Sequence, residues 1–330
     1  MKQMLDPDVS EGTSPLVGPR LWPGDRIRVV SPASTPDRDS VAEGIDRLRS
    51  WGLEVELGEH VFDRLGHYLA GTDEDRLADL NEAFRDPGVR GIIATRGGKG
   101  SYRIANAIDF EAVRQDPKPL IGFSDITFLH QALYRQCRLA TLHGPNVGWN
   151  EQDMGPFPAD GLRREMMTTE PIALHQRPTA ASAPLTTKGR AVGTLLGGYL
   201  RGVGQSIGWG PSYDGAILAL EAIDLVPGEI DGTLTQLLNS GVLDGVRGMA
   251  VGQFVGSAAV EPGKWSFLDI LSDRRRPRST PPRRSPLWAR AGSVHGSTGN
   301  DGGARCRCGY PHDRTGRTAE PAAVSPPTTA

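Results

Sequence analysis

The chain has 330 residues, 38% of them hydrophobic, and a formal net charge of -2, enough length for two domains with separate cores. That near-neutral total is uneven: Arg274 to Arg317 holds eleven arginines and two acids, so the rest of the chain is acidic and does not read as a nucleic-acid binder. The N-terminus has no apolar signal core, no run is long enough to span a bilayer, and three cysteines make no disulfide framework; a cytoplasmic protein with no membrane partner is expected.

In chain order, residues 1–20 read as a disordered tail and 21–150 as an α/β domain. "RIRVVSPAS" is a buried strand running into a turn, "DSVAEGIDRLRSWG" an amphipathic helix ended by Gly52, and "LEVELGEHV" the next strand. "GTDEDRLADLNEAFRDPG" predicts a helix capped by Thr72, with acids in its first turn. "VRGIIATRGGKG" is a strand emptying into a glycine loop, "SYRIANAIDFEAVRQDP" one helix, "KPLIGFSD" a strand and "ITFLHQALYRQCR" a helix. Strands separated by helices of this length predict a doubly wound parallel sheet, with ligands at the strands' carboxyl ends.

Residues 151–188 read as a linker, and 189–273 as a smaller, β-rich C-terminal domain with a helix over "DGTLTQLLNSG" stopped by Gly241. The stretch 274–330 breaks with all of this: rich in Arg, Pro and Gly and without periodicity, it reads as an aberrant, disordered tail, so the C-terminus is disrupted. Cys306, Cys308 and His312 within it fit no standard zinc spacing, and no metal is expected.

Ser124 in "LIGFSDIT" sits where a strand turns into a helix, two residues after Gly122. Such a turn can expose a nucleophilic hydroxyl and aim the next backbone N–H at the same point, yet the segment alone favours a helix cap, and Ile126 stands where the full elbow pattern has a second glycine. "TRGGKG", residues 95–100, can bring backbone N–H groups to an anion, or can be a plain tight turn; its spacing fits neither nucleotide fingerprint, so no cofactor is expected. Glu221 in "ILALEAID" is either the first solvated residue after a strand or a carboxylate that orients an imidazole. His143 in "TLHGPNVG" reads as a structural histidine.

Taken together, "GDRIRVVSPAS", "RGGKG", "LIGFSDIT", "LHGP", "LLGGYL", "LALEAID" and "DGTLTQLLNSGVLDGVRGMAVGQF" resemble, in order, the segments of the LD-carboxypeptidases, serine peptidases of the S66 type. The resemblance covers roughly residues 21–273. It implies Ser124 as nucleophile, Glu221 as the residue orienting a histidine, and an oxyanion hole from the backbone N–H groups of Asp125 and Gly98. It implies a small peptide substrate, a muropeptide in murein recycling, and a homodimer. The alternatives are a microcin C-type antibiotic-detoxifying peptidase, or a non-catalytic anion-binding protein in which Ser124 caps a helix. Two positions depart from the pattern: Lys99 replaces a usual aromatic and Tyr199 a usual asparagine.

The family's histidine lies in a Gly-His element after the helix matched here by "WSFLDILSDR", where this chain turns arginine-rich. His295 and His312 do not lie in that context. Read one base later, "RSPLWARA", residues 284–291, permits Gly-Leu-Pro-Phe-Gly-His-Gly, the histidine falling across Ala289 and Arg290. Residues from about 274 to about 314 are therefore expected to be out of frame, and the chain as written to lack its general base.

Overall fold

The fold was determined as a computed structural model and describes residues 14–149, 151, 155–175, 182–256, 263 and 265–275. In the first domain, strands β2 (Arg26–Val30), β3 (Glu54–Leu57), β4 (Val89–Ala94), β5 (Leu120–Gly122) and β7 (Leu142–His143) form a parallel sheet in the order β3-β2-β4-β5-β7. The central strands are aliphatic because both faces are covered. Val30, Ile92 and Leu120 pack on one face with helices α2 (Asp73–Arg85), α4 (Phe110–Gln115) and α5 (Thr127–Cys137). Ile27, Ile93 and Ile121 pack on the other with α1 (Arg38–Ser50) and α6 (Ala159–Met167). Neighbours Ile92 and Ile93 thus serve opposite cores, as strand alternation requires.

Three helix starts in this domain have a side-chain cap. Asp37 caps α1 by accepting from the Ser40 N–H. Thr72 caps α2 as expected, in a reciprocal box with Asp75. The helix expected over 101–117 is in fact broken: α3 (Ser101–Ile104) and a 3-10 turn end at Ile108, whose ψ is 144°, and Asp109 caps α4 by accepting from the Ala112 N–H. An Asx cap inside the apolar pattern overrides its periodicity.

The second domain is the smaller, sheet-built unit expected, and its strands are parallel. Strands β8 (Leu195–Tyr199), β9 (Ile217–Ile223) and β10 (Gly248–Val255) form a parallel sheet, order β10-β9-β8, packed with α7 (Leu200–Gln205), α8 (Pro227–Asn239) and α9 (Phe267–Arg275). Parallel strands need crossovers, and these helices supply them. Gly241 follows α8 at φ 74°, the left-handed stop expected of it.

Three further expectations change. Residues 16–17 are not tail: β1 (Leu16–Val17) pairs with β6 (Leu139–Ala140), and Leu16 joins the core. The supposed linker contains α6, whose Leu162 and Met166 are buried. Arg274, assigned to the aberrant tail, lies in α9 and pairs with Asp231 of α8. Residues 276–330, with the remaining frame-shift positions, Cys306, Cys308, His295 and His312, lie outside the described residues. None of the described helices is long and apolar enough to cross a membrane.

Candidate active site

Ser124 follows β5 at the carboxyl edge of the sheet, next to the loop that follows β4. Its φ is 63°, left-handed for a residue with a side chain, a conformation costing roughly 1–2 kcal/mol. Such strain persists where surrounding contacts dictate it, and they are evident here. Gly122 carbonyl oxygen accepts from Gly144 N–H and from His130 Nε2–H at 2.9 Å, and Phe123 N–H donates to Asn146 Oδ1. Gly122 itself has no room for a side chain, since a Cβ would lie 3.0 Å from Asn146 Oδ1 and from both γ-carbons of Ile126. Ser124 does not stand at a cap position: Phe123 precedes the 3-10 turn Ser124–Ile126, and Ile126 precedes α5.

His130 is wholly buried, and burial, with His143 nearby, pushes its pKa down to about 3. Its Nε2 proton is engaged with Gly122, so it acts as a neutral strut beneath the turn. Asp125 is buried too; its carboxylate accepts from Ser101 N–H and its carbonyl from Ser101 Oγ–H. Burial raises the Asp125 pKa.

The glycine loop lies against this turn. A Cβ on Gly97 would fall 2.8 Å from Ser124 Cβ and 3.1 Å from Asp125 N. Gly98 has φ 102°, and a Cβ there would strike Ser34 Oγ. The Gly97 carbonyl accepts from Ser34 N–H. In a trans peptide the following N–H, that of Gly98, points the opposite way. Neither Gly98 N–H nor Asp125 N–H donates to an acceptor among the described residues. Arg76 fixes the loop from below, donating to the carbonyls of Pro32 and Gly100 and pairing with Asp73. It is 1% exposed. Nothing in "DEDRLADL" distinguishes it from a surface arginine, so the sequence reading missed it, as it missed Ser101 and the strut role of His130.

Glu221 is contributed by the second domain, from within β9 rather than at its end, and pairs in register with Tyr199. His143 is the one described histidine within 4 Å of it, at 3.5 Å from Nε2 to Oε1. That contact is too long to count as a good hydrogen bond, and the buried Oε1 accepts none. Tyr199 N–H donates to Thr127 Oγ1 at 3.1 Å, which docks β8 on the start of α5. The Tyr199 ring is packed into the second core with its hydroxyl toward Ile223 O, facing away from solvent.

A strained serine against a glycine loop, with a carboxylate brought from a second parallel-sheet domain, matches family models over both halves: the LD-carboxypeptidase N-terminal domain over residues 27–144 and the C-terminal domain over 192–295. The chain belongs to the LD-carboxypeptidase family. A Streptomyces coelicolor protein named as a carboxypeptidase is 40% identical over 261 residues, covering 77% of this chain and 82% of its own length. A Bacillus subtilis protein named as a murein peptide carboxypeptidase is 37% identical, covering 76% and 79%. Among solved structures, the microcin C7 self-immunity protein MccF superposes with a TM-score of 0.69 at 20% identity over 79% of this chain and 86% of that one, a likeness of fold. The family is one of serine-type hydrolases, and the C-terminal match runs past Arg274 into the arginine-rich stretch.

Proposed function

We propose that this LD-carboxypeptidase hydrolyses the amide before a C-terminal D-amino acid of a muropeptide, with Ser124 as nucleophile. The left-handed backbone of Ser124 carries the reading, since a plain helix cap has no use for it. Ser124 Oγ attacks the carbonyl carbon as a histidine takes its proton. The oxyanion is held by the N–H groups of Asp125 and Gly98, neither of which donates to an acceptor among the described residues. The C–N bond then breaks, the imidazolium protonates the departing amine, and water releases the acyl group by the reverse proton path. The murein substrate is supported by the Bacillus subtilis relative's name.

Glu221 orients the histidine in this scheme. Its buried, unaccepting Oε1 fits a carboxylate meant to receive an imidazole N–H. The family's Gly-His element would occupy the stretch read here as out of frame, so the chain as written is crippled and a frame-restored chain is the peptidase. The test is muropeptide hydrolysis, with fluorophosphonate labelling, on both chains. The restored chain is expected to label at Ser124 and to turn over, the written chain to do so at least a hundredfold more slowly. Equal hydrolysis by the two would remove the claim that the chain as written is crippled, and resequencing the DNA across codons 270 to 320 tests the frame shift itself. A restored chain that neither labels nor hydrolyses would leave a ligand-binding protein on the same fold.

A further inference from the structure

Beside the glycine loop lies a cavity of about 410 Å³ lined by Ser34, Tyr68, Gly98, Lys99 and Tyr102. Its walls are two aromatic rings, each about two-fifths exposed. The one charge on its lining is the exposed Lys99. No carboxylate lies within 4 Å of that ammonium among the described residues, whereas the nearby Arg103 and Arg76 are both paired with Asp73.

The position of Lys99 is fixed at its base. Ser34 Oγ accepts from the Lys99 N–H at 3.0 Å and donates to the Lys99 carbonyl. The backbone around Tyr68 is closed as well, since Leu65 and Leu69 exchange N–H to carbonyl hydrogen bonds on either side of it, and the preceding loop is pinned where Asp79 accepts from the N–H groups of Glu59 and His60. A pre-organised, half-apolar cavity with a single unpaired cation is built for an anionic group on an organic body.

We infer that this cavity is a substrate subsite in which Lys99 receives a carboxylate of the peptide. The inference rests on the peptidase reading above. Lys99 adjoins Gly98, whose N–H faces the reacting carbonyl, and consecutive Cα atoms are about 3.8 Å apart. Its side chain therefore reaches a group about one peptide residue from the scissile bond. Two carboxylates lie at that range: the terminal one on the leaving amino acid, and an interior one on the acyl side.

Binding separates these without requiring turnover. Titration calorimetry on the full chain carrying Ser124→Ala, with and without Lys99→Met, would use three probes: a murein tetrapeptide with free carboxyls, the same peptide amidated at its terminus, and the same peptide amidated at its interior carboxyls. Lys99→Met is expected to weaken binding of the free peptide about tenfold, the scale of one charge-assisted hydrogen bond, and to leave unchanged the affinity of whichever amidated peptide lacks the recognised carboxylate. That peptide identifies the source. Lys99→Glu should lower affinity for the free peptide further. Identical affinities of the parent and Lys99→Met for all three peptides would overturn the subsite while leaving the peptidase reading intact. If the parent binds no tetrapeptide at all, the muropeptide reading falls and the subsite with it.

Discussion

At the scale of single residues, His130 shows how much the serine turn depends on a side chain that takes no part in the chemistry. Its imidazole is neutral in the fold, with a pKa of about 3 against 6.5 when exposed. As pH falls from 6.5 toward 3, the unfolded chain binds a proton that the folded chain refuses, so stability present above pH 6.5 is progressively lost. The full shift corresponds to roughly 5 kcal/mol. Buried Asp125 and Asp79 and half-buried Glu165 have raised pKa values and act in the opposite sense at the acid end. The measurement is therefore a difference: denaturant midpoints from pH 7 to 4 for the parent and for His130→Gln, whose amide can still donate to Gly122. The parent should lose stability more steeply; parallel curves would show that His130 binds protons equally in the folded and unfolded chains.

At the scale of elements, the glycine loop and the serine turn form one device. Gly97→Ala places a methyl 2.8 Å from Ser124 Cβ and 3.0 Å from Oγ. In the restored chain, fluorophosphonate labelling should fall by about a hundredfold, while circular dichroism retains the parental spectrum. Labelling at the parental rate would separate the loop from the site. The elements themselves were largely legible: β2, β4 and β5 each have an apolar run, Thr72 its capping box, Gly241 its left-handed stop, whereas the two-residue β7 has none. Two kinds of feature were not. The break at Asp109 and the helix Ala159–Met167 were hidden because a cap interrupts one apolar period and Pro-rich flanks disguise the other. Around the site, Ser124 was legible only through distant co-linear segments. Arg76 and Ser101 were invisible, because burial of a polar residue depends on contacts across the fold that no local pattern encodes. His143, read as structural, lies beside Glu221 at a distance that gives neither a firm bond.

At the scale of the molecule, the serine and the glutamate belong to different sheets, and the joint between them decides whether they meet. That joint is close-packed and polar: Thr127 Oγ1 receives Tyr199 N–H, and Gln131 Oε1 receives the hydroxyls of Ser206 and Tyr213. Gly202 lies flat on Thr127, where a Cβ would stand 3.1 Å from two of its carbons. Gly202→Val adds three carbons at that contact and should push the sheets apart. Thermal unfolding of the restored chain is expected to change from one transition to two, with hydrolysis lost and labelling of Ser124 retained. A single transition at the parental midpoint would show that the joint tolerates the change.

The hydrogen bonds to the backbone of Gly122, Phe123 and Asp125 come from residues between Gly100 and Asn146. A ribosome has therefore made every bonding partner of the serine turn before it translates residue 150. A misread codon far downstream leaves every one of these partners as written. Under the peptidase reading proposed above, such an error spares the shaping of the serine turn and removes only what the second half contributes.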